Sequence, residues 1–227
     1  MLLLAYCITE TSAAVRPSRP GVNGLPVKSL EHSGLRCFVS ESIESAPLQK
    51  ATGRDSALVF HSVLEEIFKQ AAIIPFRFPT ILAGEADVIA HLEEHLTEYR
   101  TALKRLRDMV QMEVRVQLKH SSPERTLAGS SNPEGSQIKQ SGAEYLKRLQ
   151  ARHAKLETAA NAFRQACERF AKAWKQRDSV DGIHCFALIE RASVPAFRIE
   201  SQSVAVQPEI VARLSGPWPA AEFLKEK

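Results

Sequence analysis

The chain has 227 residues with 44% hydrophobic and 25% charged residues, which excludes a disordered segment and a membrane-embedded chain and leaves room for one large or two small domains. Its net charge of +4 is too small to argue for nucleic acid by itself. Four cysteines, at 7, 37, 167 and 185, form no C-x-x-C pair and no Cys/His zinc spacing, so they read as small buried apolar residues of a reduced compartment.

The opening MLLLAYCI lacks a basic leader and ends at Thr9-Glu10-Thr11-Ser12, so residues 2–8 are expected to form a buried strand. No stretch approaches the length of a membrane span, and the chain is placed in the cytoplasm with no membrane partner. Arg16–Gly21 is a proline-rich loop, residues 25–32 are assigned a short helix, and Leu35–Ser40 a second strand. A helix over Asp55–Ala71 follows, then an extended segment over Ile73–Phe78.

From Glu85 to Val110 the apolar residues advance by three or four, predicting one continuous helix, and Met112–Leu118 alternates like a half-buried strand. The Ser/Gly/Pro-rich residues 119–141 form a linker. A second long helix, about Ala143–Gln176, carries Leu146, Leu149, His153, Leu156, Ala160, Phe163, Cys167, Phe170 and Trp174 at heptad spacing. Ile183–Ile189 is a strand, Ser193 with Pro195 starts a short helix, and Glu209–Leu214 is a last strand. This order suggests an α+β chain of two units of the ferredoxin-like kind, residues 1–118 and, after the linker, residues 142–227 with a long helix.

The most pointed chemical string is His91-Leu-Glu-Glu-His95, which matches the H-x-x-E-H pattern of one zinc-protease class. Two imidazoles one helical turn apart can share a cation. Both flank the Leu92/Leu96 stripe without a third ligand at a telling spacing, so a solvated helix flank is expected. His61 is read as a partly buried helix residue, and His153 and His184 as core histidines. No dinucleotide fingerprint, Walker A or nucleophile elbow occurs, so no enzyme, cofactor or metal is expected. Arg100, Lys104, Arg105, Arg107, Lys147, Arg148, Arg152 and Lys155 lie on the two long helices without interleaved aromatics or a binding motif, which makes them a solvated face and excludes nucleic acid as the expected partner.

Three segments stand out in order: Ile74-Pro-Phe-Arg-Phe-Pro-Thr80 after the helix around His61, Gly142-Ala-Glu-Tyr-Leu-Lys-Arg148, and Gly216-Pro-Trp-Pro219 with Phe223. They are similar, respectively, to the P-x-R-F-G-T run, the G-x-x-Y-L-x-R helix start and the terminal G-P-W-P-P-Y-S-F of the gas vesicle GvpL/GvpF family, a resemblance that implies an N-terminal ferredoxin-like domain and a C-terminal α+β domain. Pro79, Val114 and Ala220-Ala221-Glu222 depart from that pattern, marking a divergent member. The resemblance implies a non-enzymatic accessory or minor structural protein of gas vesicle assembly, located with the vesicle in the cytoplasm. Its implied partners are the small shell protein GvpA and other accessory proteins. Arg77, Phe78, Tyr145, Leu146, Gly216, Pro217, Trp218, Pro219 and Phe223 are the motif residues and candidate interface. The alternatives are a general interaction scaffold without a vesicle role and a zinc- or small-ligand-binding α+β protein.

Overall fold

Seven consecutive residues, Leu3 to Thr9, are buried, so the first strand, β1 (Leu2–Glu10), must be covered on both faces. The computed structural model describes residues 2–42, 53–119 and 142–224. Around β1 lie β2 (Lys28–His32), β3 (Leu35–Ser42) and β4 (Ile74–Leu82) in the order β2-β3-β1-β4. The neighbours β2–β3, β3–β1 and β1–β4 are all antiparallel, giving the ferredoxin-like sheet. Its first crossover is made by residues 11–27, which hold only a 3-10 turn at Val22–Gly24.

That crossover is fastened by side chains. Glu66, on α1 (Arg54–Gln70), accepts from the Ser18 amide at 2.7 Å, the Ser18 hydroxyl at 2.7 Å and the Arg19 amide at 3.2 Å. The Val22 amide donates to the Tyr6 hydroxyl at 2.9 Å, and that hydroxyl also meets Ser40 Oγ at 3.0 Å. The helix expected over residues 25–32 is instead β2, paired from Lys28↔Val39 to His32↔Leu35. Ser33 (φ 49°) and Gly34 (φ 80°) form the two-residue turn with positive φ at both positions, whose twist suits a hairpin.

One face of this sheet sets Leu3, Ala5, Leu35, Cys37 and Val39 against Val88 and Leu92 of α2 (Glu85–Glu94) and Ala102 and Leu103 of α3 (Leu96–Arg105). On α1, Phe60 stacks on Tyr6 with ring centroids 4.9 Å apart. The single helix expected over 85–110 is therefore two, interrupted at His95 (φ −105°, ψ 12°) and ended before Asp108 (φ 60°). Val110 belongs to β5 (Met109–Leu118), since an apolar residue at helical spacing serves a buried strand equally well.

The second sheet has the order β6-β7-β5-β8, with β6 (Ala171–Ser179), β7 (Gly182–Glu190) and β8 (Ile210–Trp218). The helices α4 (Gly142–Cys167) and α5 (Val194–Ser203) are the remaining α-helices among the described residues. Val114, Val116, Ile183, Cys185 and Ile210 pack against Leu156, Ala159, Ala160 and Phe163 of α4. The long helix expected to reach Gln176 stops at Cys167, and residues 171–179 form a strand leading through Val180-Asp181 into β7. Trp174 keeps its place against the same core, but from β6. Gly182 is required where it stands: its φ is +150°, and a Cβ there would lie 2.1 Å from the Val116 carbonyl oxygen.

By compactness the chain forms two units that do not follow chain order. One comprises Met1–Gln111, Leu188–Arg191 and Pro217–Lys227; the other comprises Met112–Ala187 and Ala192–Gly216. The expected division at 118 and 142 differs from this at both ends, because the Met112–Leu118 stretch groups with the second unit and the GPWP tail from Pro217 onward groups with the first. Of the expected linker, residues 120–141 lie outside the described residues.

Candidate functional site

The three motif segments occupy three different settings. Ile74–Thr80 forms a bulge in edge strand β4: Ala5 pairs with Thr80 while Cys7 pairs with Pro75, so two steps along β1 face five along β4. The extra residues let aromatics serve both faces. Phe78 reaches Phe60, centroids 5.0 Å apart, and Phe76 approaches His91 at 5.5 Å. Arg77 stays exposed, with its carbonyl taken by the Thr80 hydroxyl at 2.6 Å. The bulge also breaks up what would be a straight edge open to pairing.

The tail is folded down. Gly216 takes φ 112°, and Arg198 donates to its carbonyl. Pro217 and Pro219 are half-buried at or just past the end of β8, an edge strand where missing amide donors cost little. The Trp218 ring lies 5.5 Å from that of His61 on α1, and His61 is exposed where a partly buried residue was expected. Phe223 is 2% exposed, in a 3-10 turn at Ala221–Phe223. Arg105 donates to the carbonyls of Phe223 and Leu224, Gln111 accepts from the Glu222 amide at 3.1 Å, and Leu224 packs on the core built by Leu92 and Leu103.

The third segment opens α4. The Tyr145 side chain lies outside the described residues, but Leu146 is 59% and Leu149 40% exposed. Leu149, Leu156 and Leu118 line a groove of about 720 Å³ with Arg152, His153, Asp178 and fully exposed Val180. His153, expected in the core, is half-exposed, with Nε2 3.5 Å from Glu157 and 3.9 Å from Asp178. The heptad count alone could not reveal that only the C-terminal half of the helix meets a sheet. His184 fits its reading better: Nδ1 lies 3.0 Å from Glu113, a buried carboxylate also bonded by Arg115 and Ser215.

His91, Glu94 and His95 come together, each offering a ligand atom within 4.8 Å of the others. The flank expected on an uninterrupted helix is in fact the junction of α2 and α3. His91 Nε2 is 2.8 Å from the Tyr99 hydroxyl; His95 Nδ1 is 3.5 Å from Glu98 and its Nε2 3.9 Å from Glu94. Burial, and then the neighbouring His95, hold the His91 imidazole below its usual pKa. All four cysteines are free and buried, and burial pushes the Cys37 and Cys185 thiols up to about 12. A smaller cleft of about 360 Å³ beside Leu103 holds the Arg107–Glu10 ion pair at 2.7 Å, with Arg191 at its edge donating to the Phe68 carbonyl.

No helix among the described residues is long and apolar enough to cross a membrane. No curated protein matches the sequence. Among solved structures, the chain is similar to the gas vesicle protein GvpF of Anabaena sp. PCC7120, with TM-score 0.78 and 15% identity over 100% of this chain and 97% of that one. It is likewise similar to GvpF of Microcystis aeruginosa, with TM-score 0.77 and 16% identity over 99% of each chain. At such identities these likenesses establish the fold: mixed α+β with two four-stranded antiparallel sheets and a long helix. The family is shown by the model for gas vesicle synthesis protein GvpL/GvpF, which matches residues 2–225; the chain belongs to that family.

Proposed function

We propose that this chain is a non-enzymatic accessory protein of gas vesicle assembly that binds the apolar shell protein GvpA non-covalently, at the vesicle in the cytoplasm, and holds it until it joins the growing wall. Family membership supports the vesicle role and the association with other gas vesicle proteins. The observation that carries the shell-binding step is the exposure of Leu146, in the family's helix-start motif, and of Leu149 and Val180, which line the groove. Apolar side chains rimmed by Arg152, His153 and Asp178 suit an apolar partner segment with polar ends. The motif residues then divide by task. Phe78, Trp218 and Phe223, with Gly216, Pro217 and Pro219 shaping the tail, hold the fold; Leu146 faces outward to the partner, and Arg77 is exposed on the first unit.

The test is co-purification with a GvpA-type shell protein. Leu146→Asp/Leu149→Asp/Val180→Asp is expected to lower capture at least 10-fold, since each buried anchor of an interface is worth roughly 1 kcal/mol or more. Its melting temperature should stay close to that of the parent. Undiminished capture by this folded variant overturns the groove, and a host genome without a shell-protein gene overturns the vesicle role.

A further inference from the structure

We propose that His91, Glu94 and His95 bind a divalent transition-metal cation, zinc above all, which ties the last turn of α2 to the first turn of α3. This does not rest on the shell-binding reading.

The backbone already sets the spacing. His91 and His95 are one turn apart, and His95 stands at the interruption between the helices, with Glu94 between them. The imidazole centroids are 4.7 Å apart. A tetrahedral zinc with bonds of about 2.1 Å requires ligand atoms roughly 3.4 Å apart. The present separations lie within 4.8 Å, and Glu94, whose side chain is 75% exposed, has open space in which to rotate toward the imidazoles. Two imidazoles and one carboxylate suit zinc, cobalt or nickel and suit calcium or magnesium poorly.

Neighbouring groups prepare the donors. Glu98 can accept the Nδ1–H of His95, which leaves Nε2, the nitrogen nearer Glu94, as the free ligand. The Tyr99 hydroxyl can accept the Nε2–H of His91, which leaves Nδ1. Hydrogen bonds that fix tautomer and ring orientation are the usual outer shell of a histidine metal site. Glu93 is outside the cluster, engaged with His32 at 3.1 Å. The three protein ligands leave a fourth position for water.

The experiment uses the full chain, stripped with a chelator. Cobalt is titrated first, because a tetrahedral cobalt site absorbs in the visible, and zinc is then used to displace it while the melting temperature is followed. One equivalent of saturable binding and a zinc-dependent rise in melting temperature are expected. His91→Ala/His95→Ala should abolish both. Should that variant misfold, Glu94→Gln and His95→Gln alter more exposed positions and should each weaken binding at least 10-fold while leaving the metal-free melting temperature unchanged. His153→Gln should bind as the parent does. Absence of saturable binding, or binding that survives Glu94→Gln and His95→Gln, or that is lost with His153→Gln, overturns the proposal.

Discussion

Glu66 does more than its place near the C-terminal end of α1 suggests, because its carboxylate replaces the helix that would otherwise organise the first crossover of the sheet. Burial alone would raise its pKa, but the bonds from Ser18 and the Arg19 amide outweigh that and hold it below the usual carboxylate range. A folded-state pKa below the unfolded value gives stability that is present above the unfolded pKa and lost as pH falls through the folded one. Glu66→Gln should therefore cost about 1–2 kcal/mol at neutral pH. In denaturant titrations the gap between parent and variant should shrink as pH falls below roughly 4. Sequence reading found the four cysteines as buried residues because their chemistry is local. It missed Glu66, whose partners lie 47 and 48 positions away and leave no periodic mark.

At the level of elements, strands and helices with strong patterns were legible: β1, β3, α1, the core of β7 and the Pro195 helix start all lie near their expected places. Both long helices were overextended for one reason. Val110 and Trp174 continue the apolar spacing of the preceding helix, yet the chain has already turned, at Asp108 and at Cys167–Phe170. β2 was missed because KSLEH is a polar edge strand whose existence depends on the Ser33-Gly34 turn and not on its own composition. The turn glycines give a sharp contrast in cost. Gly34→Ala, open to solvent apart from Arg100, should lose about 1 kcal/mol through its positive φ alone. Gly182→Ala must displace the Val116 backbone and should lose 3 kcal/mol or more. Thermal and denaturant unfolding of the two variants checks the order.

For the whole molecule, the α+β class and the family were accessible from sequence, because the IPFRFPT and GPWP strings are distinctive, whereas the four-strand count of each sheet was not, since β2 and β6 fall where helix was expected. The division of the chain into units was not, since neither string says which core it joins. Phe223 settles into the first unit and is almost wholly enclosed. Phe223→Ala should cost roughly 3–5 kcal/mol and lower the melting temperature, and Trp218→Ala, half-buried, should cost less. Capture of a shell protein by the folded fraction should be unchanged in both, as befits a fastening and not a hook; a stable variant that has lost capture would reverse that assignment.

The return of residues 217–224 to the first unit bears on how the protein is made. A ribosome adds about 5–20 residues per second, so the hundred or so residues between Gln111 and Pro217 occupy roughly 5–20 s. During that interval the nascent first unit lacks Leu224 against Leu92 and Leu103, and Phe223 beneath Arg105. Synthesis of residues 1–111 therefore finishes well before the first unit is complete, and the growing polypeptide carries an apolar gap that its own later residues fill.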